Sequence, residues 1–133
     1  MTTEMVLAPA VRTWDELRAS VLTTIADLVG GSIAEVRISM PGGGERIVAA
    51  MVGDEVRLAA AGNDTLVGGD RLTVRDERAV IAVGFSVGSA TWGTFYWDWT
   101  PPVDPALVAS GIIRTMRDIY KVDPAELELS VTL

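Results

Sequence analysis

The side chains able to do chemistry in this chain are carboxylates, hydroxyls, arginines and the single lysine Lys121, because the sequence contains neither Cys nor His. Without Cys there is no thiol nucleophile, thiolate metal ligand or disulfide. Without His the commonest general base, the Ser-His-Asp arrangement and most zinc sites are lost. Asp98 is the carboxylate with the most suggestive neighbours, Trp97 and Trp99. An apolar enclosure raises a carboxyl's pKa toward that of a general acid. On a strand, however, residues 97 and 99 point away from residue 98, so they need not enclose it. The paired carboxylates Asp15/Glu16, Asp54/Glu55 and Asp76/Glu77 fall at helix starts and a turn, where capping and turn formation account for them. The chain is therefore read as a non-enzyme with no cofactor and no metal site.

Asp98 belongs to the tract Trp92-Gly93-Thr94-Phe95-Tyr96-Trp97-Asp98-Trp99, which holds three of the four tryptophans. Burying one aromatic ring removes about 150–250 Å² from water, worth roughly 4–6 kcal/mol of gross transfer free energy. The fold must be centred wherever these rings pack. Read as a strand, the tract puts Phe95, Trp97 and Trp99 on one face as core, and Trp92, Thr94, Tyr96 and Asp98 on the other.

The formal charge of −7 argues against binding nucleic acid, which needs a clustered positive surface. No stretch approaches the ~20 apolar residues of a membrane span, and the first residues lack the basic start and long apolar run of a secretory signal. These observations make a cytoplasmic protein the expectation. The excess of Arg over Lys, with abundant Ala, Val and Gly, hints at a GC-rich bacterial genome.

The elements that must hold the tract follow from periodicity. Residues 1–12 read as a loose leader before a single domain over 13–133. Thr13-Trp14-Asp15-Glu16 has the form of a capping box. It opens an amphipathic helix whose stripe is Leu17, Val21, Ile25 and Leu28, stopped by Gly30-Gly31. Ala34–Met40 alternates as a half-buried strand, Arg46–Val52 is a strand apolar on both faces, and Gly53-Asp54 turns into a third strand over Glu55–Ala61. The glycines before Arg46 are not a phosphate loop, since no Gly-Lys-Ser/Thr follows.

Between Arg71 and Val87, Thr73 and Asp76 suggest a helix start, yet 79–83 is rich in β-branched residues, and periodicity does not decide. After the aromatic strand, Asp104-Pro105 caps a second long helix with Leu107, Val108, Gly111, Ile112, Met116, Ile119 and Tyr120 as its buried stripe. Glu126–Leu133 alternates like a strand that must cover something, pair somewhere or fray.

Taken in order, these motifs resemble the type III secretion chaperone-like superfamily, in particular the YbjN and TY-Chap peptide-binding chaperone domains. The resemblance is carried by Trp14-x-x-Leu17 ahead of a meander ending in Ala61-Gly62-Asn63-x-x-Leu66. It continues in Leu72-Thr73 through Val80-x-x-Val83-Gly84-Phe85, then in the aromatic strand, Pro102, and Ile119-Tyr120-Lys121-Val122-x-Pro124-x-x-Leu127. The family's Gly-Trp pair stands here as Gly84-Phe85, and the tail beyond Leu127 is unusually strand-like.

The resemblance implies a helix from about Val74 to Val83. It also implies an α+β fold, an antiparallel sheet of about five strands with helices packed on it, in the order α-β-β-β-α-β-α with a possible extra C-terminal strand. Its functional implication is a non-enzymatic domain that binds a protein or peptide partner. Trp92 and Tyr96, with Met51 on the second strand, are the candidate partner-binding residues. Their rings could equally line a homodimer seam or pack within the fold. The strand-like tail could add to the sheet of another copy, an exposed edge being a template for pairing.

Overall fold

The structure is a computed structural model that describes residues 4–7, 13–40, 44–88 and 95–133. Its elements are β1 (Glu4–Leu7), α1 (Trp14–Val29), β2 (Glu35–Met40), β3 (Gly44–Val52), β4 (Glu55–Ala60), α2 (Val74–Val83), β5 (Ser86–Val87), β6 (Phe95–Trp99), α3 (Pro105–Thr115) and β7 (Glu128–Thr132). A π-helical turn, Met116–Tyr120, extends α3. The strands form one seven-stranded sheet in the order β1-β7-β2-β3-β4-β6-β5. Each neighbouring pair is antiparallel. This is the α+β arrangement expected, with the second helix bounded as the resemblance implied.

Local signals explain where the helices begin. Thr13 and Glu16 form the capping box in both directions, Glu16 N–H to Thr13 Oγ1 at 3.2 Å and Thr13 N–H to Glu16 Oε1 at 3.3 Å. A second box, not anticipated as such, joins Thr73 and Asp76 at the start of α2. At α3, Asp104 Oδ1 accepts from the Ala106 amide at 3.0 Å, and Pro105 occupies the first turn, where its missing N–H costs nothing.

One face of the sheet carries Val36, Ile38, Ile47, Ala49, Val56, Leu58, Ala60, Leu129 and Val131, all buried. Leu17, Val21, Ile25 and Leu28 of α1 complete this core with Val108, Ile112 and Met116 from α3 and its extension. Leu107, expected in the buried stripe, is instead 58% exposed. It lies on the helical row that continues to Gly111 and borders a surface cavity, whereas Val108 and Ile112 are fully buried in the core.

The opposite face carries Glu35, Arg37, Val48, Ala50, Arg57, Ala59, Tyr96 and Asp98, half-buried or exposed. Arg37 pairs there with Glu35 and, at 3.1 Å, with Glu45. Antiparallel sheets tolerate one wetted face of this kind.

Two features lay outside the sequence reading. Within the residues read as a leader, Glu4–Leu7 form β1 and pair with β7, Glu4 opposite Thr132. The tail strand β7 lies between β1 and β2 of its own sheet, so it is an interior strand and not a free edge. The second feature is a bulge where Ile38 faces Ile47 but Ser39 faces Glu45. The extra residue is Arg46, whose side chain leaves the alternation and is buried, with Nη2 3.4 Å from Asp70 Oδ2 and Nη1 3.3 Å from the Gly44 carbonyl.

Candidate functional site

The outer end of the sheet is where aromatic mass, cavity and strand edge meet. β6 pairs with β4 along its whole length, Phe95 opposite Ala60 and Trp99 opposite Val56. On its other side β5 reaches only two residues, Ser86 opposite Tyr96 and Val87 opposite Phe95. Trp97, Asp98 and Trp99 therefore have no strand on their outer side among the described residues.

On the helix side of this edge the two indoles pack against each other with centroids 4.5 Å apart, and the Phe85 ring meets Trp97 edge-on at 5.2 Å. Two glycines admit them. A Cβ on Gly84 would stand 2.5 Å from Trp97 Cζ2, and one on Gly111 would stand 3.0 Å from Trp97 Cζ3. Because Gly111 has no side chain, the indoles reach the backbone of α3 between Leu107 and Arg114 and form the floor of a depression there. The result is a cavity of about 330 Å³ lined by Val83, Trp97, Trp99, Leu107, Gly111 and Arg114, among others. The Trp99 indole N–H is buried without an acceptor among the described residues.

On the open face, Asp98 accepts two hydrogen bonds from Arg57, from Nε at 2.8 Å and from Nη2 at 3.1 Å. The hydrogen bond, with the attraction of the guanidinium, holds the Asp98 carboxyl below the usual carboxylate range. That is the opposite of the upward shift a general acid would need. The Arg57 guanidinium carbon also lies 5.3 Å from the centre of the Tyr96 ring, a cation–π contact. Tyr96 is thus half-buried under its neighbour.

The expected partner-binding residues fall apart in space. Tyr96 is on the open face, opposite Ala59 of β4. Met51 is opposite Val56 and packs against the core on the helix side. Trp92 lies outside the described residues. The sequence reading missed Leu107 and Gly111 as members of a cavity. The available signal was a glycine inside a helical pattern, Gly111, where the indoles of Trp97 and Trp99 approach the helix.

A second cavity, of about 530 Å³, opens at the other end of α2 and is lined by Met40, Arg46, Asp70, Arg71, Tyr120 and Lys121, among others. There the Tyr120 hydroxyl donates to the Ala61 carbonyl at 2.7 Å, and burial raises its pKa. Lys121 adopts the left-handed conformation, φ +55°, that ends the π turn, and its Nζ lies 3.8 Å from Asp76 Oδ1. No group of carboxylates among the described residues is arranged to hold a metal ion. No described helix is long and apolar enough to cross a membrane.

The fold is that of a small α+β domain with helices packed on one face of an antiparallel sheet. Residues 8–132 match the model of the T3SS (YopN, CesT) and YbjN peptide-binding chaperone 3 family, TY-Chap3. The chain belongs to this family, as its motifs implied. No curated protein and no solved structure matches it.

Proposed function

We propose that this domain captures an extended polypeptide segment, without catalysis, by adding it as a strand along the outer edge of β6 past the end of β5. The observation that carries this reading is the edge itself: among the described residues Trp97–Trp99 are paired on one side only, beside an indole-floored cavity and an exposed Leu107. Strand addition draws affinity from main-chain hydrogen bonds and specificity from pockets for alternate side chains. Membership of a peptide-binding chaperone family supports it. Tyr96 takes part as the neighbour of the edge on the open face.

Backbone amide exchange with and without a bound peptide tests the site. The expected result is new protection confined to Trp97–Trp99 and the Leu107 turn. Leu107→Glu, at an exposed position, should weaken capture at least fivefold while leaving thermal unfolding unchanged. Protection centred on Val48, Ala50 and Ala59 would move the site to the open face. A mass that doubles with concentration in a protein that captures no peptide would favour a homodimeric structural or regulatory subunit instead.

A further inference from the structure

The same edge dictates the chemistry of the segment it would hold. On an antiparallel sheet successive side chains alternate between faces, and residues opposite one another share a face. A residue added opposite Asp98 therefore projects onto the open face, and its neighbour opposite Trp99 projects onto the helix side, where the cavity lined by Trp97, Trp99, Leu107 and Gly111 lies, while Phe85, which leads into Ser86, stands beside Trp97. That cavity, about 330 Å³, has an apolar floor of indoles with Val83 and Leu107, bounded by Ser110 and Arg114, and is large enough to take an aliphatic side chain of the strand.

Charge decides the residue between. Asp98 stays ionised, with Arg57 on the β4 side bonded to both oxygens. Each carboxylate oxygen keeps further acceptor capacity, and the outer side of Asp98 has no strand among the described residues. Glu55 lies on the same face of β4, close enough to act on the Arg57 charge. The local balance on this face, Glu55 and Asp98 against Arg57, is thus one negative charge, in a chain of net −7. A cross-strand partner of opposite charge is favoured directly opposite a carboxylate, and one of like charge is disfavoured.

We infer that the segment captured at β6 has the pattern apolar–basic–apolar, with a lysine or arginine opposite Asp98 and at least one aliphatic neighbour in the cavity. This rests on strand capture at β6 as proposed above and adds the sequence class of the client.

The experiment uses labelled pentapeptides with threonine at both ends, leucines at positions two and four and a variable centre, followed by fluorescence anisotropy with the full chain. The lysine-centred peptide should bind about three- to tenfold more tightly than the glutamate-centred one, the sum of a favourable and an unfavourable cross-strand pair. The ratio should shrink as salt rises. Asp98→Asn, folded as judged by its thermal transition, should abolish most of the preference. A lysine-centred peptide with serines replacing both leucines should lose binding altogether. Equal binding of the lysine and glutamate peptides, or a preference that survives Asp98→Asn, would overturn the inference and leave strand capture standing. Absence of binding by every peptide would overturn both.

Discussion

The side-chain amide of Asn63 closes both main-chain polar groups of Leu72, its Oδ1 accepting from the Leu72 amide at 2.7 Å and its Nδ2 donating to the Leu72 carbonyl at 3.0 Å. One side chain thereby substitutes for a strand neighbour and pins the connection from β4 to the start of α2. Leu72, held this way, is buried. Asn63→Ala leaves both Leu72 groups without partners, and a partly buried unsatisfied group costs about 1–3 kcal/mol. Urea unfolding should register a loss in that range. Asn63→Asp should be no better, because a carboxylate faces the Leu72 carbonyl without a donor.

Gly84 and Gly111 both accommodate Trp97, but alanine should not be tolerated equally at the two. Gly84 has φ +145° and a Cβ there would lie 2.5 Å from the indole. Backbone strain and overpacking each cost about 1–3 kcal/mol, so Gly84→Ala should lose several kcal/mol. At Gly111 the contact is 3.0 Å and alanine recovers about 1 kcal/mol of helix propensity. Gly111→Ala should therefore cost clearly less, and equal denaturation midpoints for the two variants would contradict this packing.

The acid side of the stability profile should carry the mark of two carboxylates. Asp98 is held low by the Arg57 hydrogen bond and charge, and Asp76 by hydrogen bonds from Thr73, the main-chain amide first. A carboxyl whose folded pKa lies below its unfolded value of about 3.9 stabilises the fold above that value. The contribution is lost as pH falls through the folded pKa. Asp98→Asn and Thr73→Ala should each flatten the stability profile below about pH 4. Carboxyl carbon titration by NMR should find Asp98 returning to the ordinary range in Arg57→Met.

Removal of residues after Pro124 deletes Leu127, Leu129 and Val131, exposed by 1%, 0% and 4% in the intact chain. It also takes the strand that pairs with β1 and one partner of β2. The shortened chain should lack a cooperative thermal transition and bind hydrophobic dyes. A well-folded truncated protein would mean that β7 is dispensable, contrary to its interior position.

Much of the fold was legible because local rules acted alone. The capping residues Thr13 and Asp104, the alternation of Val36 and Ile38, and the split of the aromatic strand into Phe95, Trp97, Trp99 against Tyr96 and Asp98 all follow from periods of 3.6 and two. Residues 74–83 were not decidable from periodicity, since Val80 is the one buried residue of α2 and an apolar stripe scarcely exists. The family motif supplied that helix.

The site was less legible, because its parts are nonlocal. Gly111 becomes part of a cavity wall only when Trp97 and Trp99 arrive from another element, and the Asp98 carboxylate is paired with Arg57, 41 residues earlier in the chain. Met51 and Tyr96 stand together in the sequence as candidate partner-binding residues, and strand parity puts them on opposite faces. Arg46 escaped notice because a bulge, invisible in the residue pattern, turned a charged strand position inward.

The position of β7 also sets a schedule for synthesis. β1 emerges first, but its sheet partner is separated from it by more than a hundred residues, Glu4 from Thr132. β2 likewise lacks its second neighbour until the same strand arrives. Contacts so far apart in sequence are slow to form and cannot form early. A nascent chain therefore carries two waiting edges, at β1 and at β2, until β7 is made. The domain would thus pass through an interval in which its own strands are open to pairing with other chains.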